Sequence, residues 1–336
     1  MYKINREQLL KELEYITPGL SSKEIVEQSN CFIFKNGNVT TYNDDIACSL
    51  KTCLKIEGAI QATTLMSLLQ KLPDEEIEVE VTKKELLIEG KNRKAGVVME
   101  KDVSSLIDKI GKPKQWNKLS VDFPEAVKTV QDCVSNDETQ FNMTCVHLHP
   151  NWIESCDNYQ ACRYNIKTKV NESILIRKES LKHIIFLNMT EFGETKSWIH
   201  FKNSIGLILS CRRYVEKYPD VSKVLNVKGN KMSLPKGLKN AAERASIFSA
   251  EDIGDNYISI KLDNDKLGIE GRGVLGWFNE KKKIKYKGQP LSFTVSPSLL
   301  IKLIQRYNEC EITENRLKIT GDKFEYITCL GKEKGK

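Results

Sequence analysis

The chain has 336 residues, of which 52 are Lys or Arg and 45 are Asp or Glu, so its formal net charge is +7 at pH 7. This length is enough for two or three domains. No apolar run approaches the roughly 20 residues of a membrane span, and no secretion signal is visible. The ten cysteines show neither a CxxC pair nor the even spacing of a disulfide framework. They predict free thiols in a reducing cytoplasm.

Six short amphipathic helices are predicted, at intervals of roughly 60 residues. They begin near Arg6, Ala62, Pro124, Arg177, Pro235 and Ser296. In the second helix, Leu65, Leu68, Leu69 and Leu72 follow the spacing i, i+3, i+4, i+7. One apolar stripe on each helix indicates one packed face and one free face. Six similar units predict a modular array, an architecture that usually serves binding.

Short strand-like runs lie between these helices. Cys31–Phe34 precedes Asn36-Gly37, which favours a hairpin because both residues tolerate positive φ. Further strand pairs are Ile77–Val81 with Glu85–Ile88, Trp198–Phe201 with Gly206–Cys211, and Tyr257–Leu262 with Leu267–Glu270. Lys202–Ser204 and Asp263–Asp265 are predicted to be longer turns. Helices on one face of antiparallel sheets indicate the α+β class.

Lys-rich stretches that contain Pro or Gly divide the chain near Asn117 and Lys228. The predicted domains are residues 1–117, 118–227 and 228–336, each with two of the six units. The excess of basic residues falls entirely within the third domain, and the predicted helices are modestly basic. Their candidate residues are Arg6, Lys11, Lys71, Lys128, Arg177, Lys178, Lys182, Lys236, Lys239, Arg244, Lys302 and Arg306. These residues either solubilise exposed faces or attract a polyanion through sequence-independent phosphate contacts.

Four segments carry a resemblance to a known family. They are Ile4–Leu10, Arg213–Asp220, Gly237–Phe248 and Phe293–Ile304. In order and spacing they are similar to the first helix, the strand-to-linker segment, the helix that opens the third domain and the final helix of that family. From about Tyr2 to Leu330, the chain resembles the bacterial-type DNA sliding clamp, the β subunit of DNA polymerase III.

The resemblance implies three tandem clamp domains and a homodimer closed head-to-tail into a ring. The helices would line a central hole around double-stranded DNA, and the strands would form the outer scaffold. Such a ring tethers a DNA polymerase and is served by a clamp loader, both through short peptide motifs. It has no catalytic activity and needs neither a cofactor nor a metal. Lys23 falls where the family has a basic residue that contacts DNA.

The resemblance also implies a partner-peptide cleft. Its expected residues are Phe141, Cys156, Asn158, Tyr159, Gln160, Ala161, Pro219, Lys223, Val224, Thr328, Cys329 and Leu330. The family's Thr-Asp-Gly-His-Arg-Leu is Cys-Asp-Asn-Tyr-Gln-Ala here, and its Met-Pro-Met-Arg-Leu ending is Cys-Leu-Gly-Lys-Glu. These departures predict an altered peptide preference and fit a divergent clamp from a phage or another mobile replicon. At the ring interface, the expected residues are Val97, Ile247 and Phe248.

Two other functions remain open from the sequence. The altered cleft is compatible with a clamp-fold ring that recruits recombination or transcription factors instead of a polymerase. Alternatively, Cys145, His147 and His149 alternate along one strand and share a face. With Cys156 or Cys162 they would form a zinc site for a metal-dependent enzyme.

Two further patterns have simpler explanations. The glycine-rich run Gly268–Gly276 lacks the strand-to-helix context of a phosphate-binding loop, which predicts a bend in an antiparallel sheet. The basic run Lys281–Lys287 is either a solvated strand or an additional contact with DNA or a partner.

Overall fold

The structure is a computed structural model that describes residues 2–235, 237–252, 255–286, 289–295, 297–305, 307 and 309–331. At residues 250–252, 255–256, 298–299 and 302–303 it describes the backbone alone. The chain forms two compact units. The first unit comprises the residues up to Pro124 together with Lys169–Val215, and the second comprises Glu125–Thr168 together with the chain from Glu216 onward. The division into three domains stays a prediction.

The described residues contain seven α-helices. They are α1 Arg6–Tyr15, α2 Ala62–Lys71, α3 Phe123–Val130, α4 Lys178–Phe186, α5 Val221–Leu225, α6 Leu238–Ser246 and α7 Pro297–Ile304. All six predicted helices are confirmed. The third is shorter than expected, because Gln131–Cys133 continues as a 3₁₀ turn. Helix α5 was not predicted, because its five residues are too few to show a periodic stripe.

The first unit contains one twelve-stranded antiparallel sheet in the order β1-β6-β7-β8-β5-β2-β3-β4-β16-β15-β14-β9. The strands of this unit are β1 Tyr2–Asn5, β2 Cys31–Lys35, β3 Asn38–Tyr42, β4 Ile46–Lys51, β5 Gly58–Gln61, β6 Glu76–Val81, β7 Glu85–Gly90, β8 Arg93–Glu100, β9 Asn117–Lys118, β13 Ile174–Arg177, β14 Glu191–Glu194, β15 Trp198–Lys202 and β16 Ile208–Arg212. Strand β4 pairs with β16, opposing Cys48 to Leu209. The sheet therefore continues across the predicted boundary near Asn117.

The second unit has two antiparallel sheets. One runs in the order β10-β11-β12-β25-β24-β23-β17, and the other runs in the order β18-β19-β20-β21, with β22 beside β19. The strands are β10 Cys145–His149, β11 Trp152–Cys156, β12 Gln160–Asn165, β17 Asn230–Ser233, β18 Ala250–Asp252, β19 Asp255–Asp263, β20 Lys266–Gly273, β21 Gly276–Lys283, β22 Leu291–Val295, β23 Glu309–Ile312, β24 Arg316–Thr320 and β25 Phe324–Cys329. Antiparallel sheets combined with packed helices confirm the α+β class.

The turns follow the chemistry of their residues. Asn36 and Gly37 have φ of 51° and 69°, which confirms the predicted hairpin. Asn264 and Asp265 also have positive φ, 44° and 59°, and they join β19 directly to β20. The prediction of a longer turn there was wrong, because Asn and Asp both tolerate the left-handed conformation that a two-residue turn requires.

Helices α1, α2, α4 and α6 each bury apolar residues on one face. In the first unit α1 packs on α2, with Leu9 and Leu65 fully buried. In the second unit α6 packs on β19, β20 and β21 through small residues such as Ala245. A Cβ at Gly271 would lie 1.8 Å from the Ala245 carbonyl oxygen, so only glycine permits this approach. The glycine-rich run thus belongs to the β20–β21 hairpin, as predicted. No helix in the described ranges is long and apolar enough to span a membrane.

Candidate functional site

The main candidate site is a groove of about 210 Å³ in the second unit. Its apolar floor contains Cys156 on β11, Ala161 on β12 and Ile327 on β25, which oppose one another in the strand ladders. Residues directly opposite each other in an antiparallel sheet project from the same face. Met143 and Val221 pack against this row and complete the floor.

One wall is the turn between β11 and β12. The Oδ1 atom of Asp157 accepts hydrogen bonds from the backbone N–H groups of Tyr159 and Gln160, at 2.7 and 2.8 Å. Its Oδ2 atom accepts from Gln160 Nε2 at 3.0 Å. The Tyr159 carbonyl accepts from the backbone N–H of Cys329 at 2.6 Å, and the Tyr159 side chain is 58% exposed. The turn is therefore fixed while its aromatic ring remains accessible.

The opposite wall is the start of α5 and the residues before it. Pro219 and Val224 line the groove. Asp220 Oδ1 accepts from the backbone N–H of Ser222 at 3.2 Å and so caps the helix. The Tyr218 hydroxyl accepts from the backbone N–H of Cys156 at 2.8 Å. This bond ties the segment before α5 to the floor strand β11.

A buried ionic network lies beside the floor, on the same face of the sheet. Glu154 is 3% exposed, and its carboxylate contacts His147 Nδ1 and Arg163 Nε, each at 2.7 Å. Burial alone raises the pKa of Glu154, but the His147 and Arg163 contacts together outweigh it, so the pKa is lowered. Arg163 also donates to Ser222 Oγ at 3.0 Å, which links β12 to α5.

The structure gives the residues of the zinc-site hypothesis other partners. His147 faces Glu154, and the His149 ring stacks on Trp152 with ring centroids 3.5 Å apart. Cys145 is fully buried. In the part of the chain that the structure describes, no group of three His, Cys, Asp or Glu side chains is arranged to hold a metal ion.

Most of the predicted cleft residues line the groove. They are Cys156, Asn158, Tyr159, Gln160, Ala161, Pro219, Val224, Thr328 and Cys329. The exceptions are Leu330, which is only 6% exposed, Lys223, whose side chain is 85% exposed beside Asp220, and Phe141, which lies in a 3₁₀ segment. Groove residues that the sequence did not predict are Met143, Asp220, Val221, Arg316 and Ile327.

The basic residues predicted to face DNA differ in their surroundings. Lys11, Lys71, Lys128 and Lys182 are exposed on α1 to α4, and Lys23 is exposed in the loop after α1. Lys178 is half-buried at the start of α4 and Arg177 is half-buried at the end of β13. Within the described ranges, no ion pair involves any of the six lysines.

Arg6 departs from the prediction. Its side chain is 12% exposed, its Nε donates to the Asp74 carbonyl at 2.9 Å, and its NH1 group donates to the Leu69 carbonyl at 3.0 Å. These bonds satisfy carbonyl groups at and beyond the end of α2, where helical partners are missing. Arg6 is therefore a structural residue, and its donors are not directed to a ligand.

Two more predicted basic residues are paired. Lys239 lies 3.4 Å from Glu243, and Arg244 pairs with Glu280 on β21. Lys236 and Arg306 lie outside the described residues, and the side chain of Lys302 does as well.

Of the residues predicted at the ring interface, Val97 does not reach the surface of the chain. Val97 is 5% exposed and opposes Leu86 in the sheet, whereas Val98 is 70% exposed. Successive strand residues face opposite sides, so Val98 holds the outward position. Ile247 is 71% exposed, and Phe248 is half-buried against Gly276.

The sequence missed the apolar tip of the β20–β21 hairpin. Val274, Leu275 and Trp277 are 100%, 93% and 64% exposed. Phe248 contacts this hairpin at Gly276, and the exposed Ile247 directly precedes Phe248 in the chain. We call Ile247, Val274, Leu275 and Trp277 the hairpin patch. Large contiguous apolar patches on a protein surface are typical of interaction sites.

No protein-family model matches the chain, and no curated protein matches it in sequence. Solved structures match it in fold. The DNA polymerase III subunit beta from Pseudomonas aeruginosa aligns with a TM-score of 0.82 at 13% identity, over 98% of this chain and 99% of that chain. The DNA polymerase sliding clamp from Bacillus subtilis aligns with a TM-score of 0.82 at 14% identity, over 98% of each chain. The chain has the DNA sliding-clamp fold.

A third clamp-fold structure, the DNA polymerase III beta subunit from Thermotoga maritima, aligns with a TM-score of 0.79 at 14% identity over 98% of each chain. The resemblance found in the sequence is thus confirmed as a likeness of fold over nearly the whole length. The low identity makes this chain a divergent example of the clamp fold.

Proposed function

We propose that the protein is a DNA sliding clamp, a ring that encircles duplex DNA, tethers a DNA polymerase and performs no catalysis of its own. The proposal rests on the clamp fold across 98% of the chain. Exposed lysines on four successive helices add support, because lysine ammonium groups make sequence-independent contacts with phosphates. Each clamp-fold structure named above is a DNA polymerase III beta subunit or a DNA polymerase sliding clamp.

In this proposal the helices face the DNA. The proposed contacts are Lys11, Lys23, Lys71, Lys128, Lys178 and Lys182, with Lys236, Lys302 and Arg306 from the sequence alone. Contacts of lysine with phosphate are independent of base sequence, so the ring keeps the same interaction energy as it moves along the duplex. Lys239 and Arg244 contribute less, since Glu243 and Glu280 partly neutralise them.

We propose three clamp domains in each protomer and a homodimer that closes head-to-tail. Strand β8 pairs with β7 along Arg93–Val98 but with β5 only at Met99 and Glu100, which leaves an open edge in the described sheet. Open strand edges recruit further strands. In this dimer, the hairpin patch in the second unit of one protomer would cover Val98 and the open edge in the first unit of its partner. Such an interface joins two different surfaces.

Charge complementarity favours this pairing over a contact between identical surfaces. The outward face of the first unit near β8 is net acidic, because Glu78, Glu80, Glu85 and Glu89 outnumber Lys3 and Lys94 there. Strand β21 carries Lys281 and Lys283 at exposed positions. Opposite charges on the two surfaces steer their association and disfavour like-to-like contacts. This gives the basic run a role at the subunit interface.

The oligomeric state tests the ring directly. Sedimentation equilibrium should give twice the 38.4 kDa chain mass for the wild type. Leu275→Asp should give single chains, because it removes about 1.5–3 kcal/mol of apolar burial per interface and buries a charge. Val121→Asp, at a residue that is 97% exposed in the first unit, is the matched control and should leave the dimer intact. A wild-type monomer at micromolar concentration would exclude the head-to-tail dimer.

We further propose that the groove of the second unit is the cleft that binds short peptides of the DNA polymerase and the clamp loader. Its apolar floor, fixed walls and exposed Tyr159 support this role, because peptide clefts pair an apolar anchor pocket with a few placed polar groups. Its volume of about 210 Å³ is below the roughly 300 Å³ of drug-sized pockets. It therefore suits the anchor side chains of an extended peptide.

A further inference from the structure

The charged side chains that line the groove are Asp157, Asp220 and Arg316. Both oxygens of Asp157 already accept hydrogen bonds from the turn that it closes. Asp220 caps α5 through Oδ1, and its Oδ2 lies 3.6 Å from Lys223. In the described part of the chain, the Arg316 guanidinium alone among these three groups has neither an ion pair nor a hydrogen bond.

Arg316 is held in position by the sheet. It opposes Cys329 in the ladder between β24 and β25, one row beyond the floor residue Ile327 on the same face of the sheet, and it is half-buried. Lys318, two residues along the same strand, differs from it. The Lys318 ammonium contacts Glu325 at 2.7 Å and the Leu225 carbonyl at 2.8 Å, and is thereby satisfied within the protein.

We propose that Arg316 makes the groove selective for peptides that carry a carboxylate next to an apolar anchor side chain. This inference rests on the proposed function of the groove as a peptide cleft. The guanidinium presents a planar set of donors that matches a carboxylate in two-point geometry. The partial burial of Arg316 reduces solvent screening and strengthens the pairing.

An anionic DNA strand is a less suitable occupant. The floor beside Arg316 is apolar, whereas a nucleic-acid strand requires a series of cationic groups that follow its phosphates. Both aspartates of the groove would also repel a phosphate chain. A peptide supplies one carboxylate for Arg316 and one uncharged side chain for the floor, which matches the distribution of charge in the groove.

The test begins with a displayed library of random dodecapeptides, selected in parallel on the wild type and on Arg316→Glu. Peptides enriched on the wild type should share Asp or Glu at a fixed spacing from an apolar residue. Those enriched on Arg316→Glu should carry Lys or Arg at that position instead. A wild-type peptide and its Asn or Gln counterpart are then titrated by fluorescence anisotropy.

Arg316→Gln should weaken binding of the acidic peptide by about tenfold or more, the range of charge-assisted hydrogen bonds. The amide peptide should bind wild type and Arg316→Gln equally. Arg316→Lys should fall between, because it keeps the charge and loses the two-point geometry. Lys231→Gln removes an exposed charge on β17, outside the groove, and is the matched control, with no expected change.

The outcomes separate this inference from the proposed function. If the selected peptides lack acidic residues, or if Arg316→Gln binds them unchanged while Val224→Arg abolishes binding, the groove is a peptide cleft and the inference is wrong. If Arg316→Gln instead loses affinity for an oligothymidylate and keeps its peptide affinity, the site serves nucleic acid and the inference is again wrong. If no peptide depends on Val224, the peptide-cleft assignment itself fails.

Discussion

Replacing Gly271 by alanine should disrupt the packing of α6 on its sheet. The added Cβ would lie 1.8 Å from the Ala245 carbonyl oxygen and 2.6 Å from its carbon. These atoms belong to helix backbone, so no side-chain rotation relieves the overlap, and α6 must shift by more than an ångström. Overpacking of this kind costs about 1–3 kcal/mol, and a backbone obstruction lies at the upper end of that range or beyond it.

Gly268→Ala is the matched control on the same strand, because the atom nearest to its Cβ would be 3.8 Å away. It should be neutral or slightly stabilising, since alanine lowers the entropy of the unfolded chain. Native-state hydrogen exchange measures the effect locally. Opening free energies of α6 amides should fall by about 3 kcal/mol in Gly271→Ala, while those of α2 in the first unit remain unchanged. Equal protection of α6 in both variants would refute the packing argument.

Three further results are expected. Burial lowers the pKa of His200 to about 4, below its unfolded value of 6.5. The free energy of unfolding should therefore be complete above pH 6.5 and decline by up to about 3 kcal/mol as the pH falls toward 4. The urea midpoint of His200→Gln should vary less across this pH window. Lys182→Glu should lower duplex affinity and reduce the slope against log salt by about 1, whereas Lys83→Glu, at an exposed residue on the turn between β6 and β7, should change neither. Arg6→Ala should weaken protection of α2 by roughly 2 kcal/mol and leave duplex affinity unaltered, and a selective loss of DNA binding would restore Arg6 to the DNA-facing set.

The sequence predicted the helices because each carries an apolar stripe that only one periodicity explains. It could not decide between Val97 and Val98. Two adjacent valines fit either phase of an alternating strand, and the phase is set by the pairing of Val97 with Leu86 on β7. The role of Arg6 was hidden for a similar reason. Its partners Leu69 and Asp74 lie more than sixty residues away, and only the folded contact brings them together.

The groove was predicted in outline and missed in its chemistry. The turn at Asp157 and the end of β25 were recognised through the resemblance, because both lie in segments with family counterparts. Arg316 lines the groove because β24 pairs with β25, and no local sequence pattern predicts which strands pair. Helix α5 was overlooked, since its stability comes from the Asp220 cap and from contacts with β12 and β25.

The most direct test of the central claim is whether the protein holds DNA by topology. A ring can thread onto the ends of linear duplex without a loader. Linear DNA with biotin at its ends is therefore capped with streptavidin either before or after incubation with the protein. It is then washed in about 1 M salt, where the screening length is roughly 3 Å. The account predicts that protein survives the wash only on DNA capped afterwards, and that one internal restriction cut releases it. Retention that is independent of the order of capping, or no retention on either DNA, would contradict encirclement.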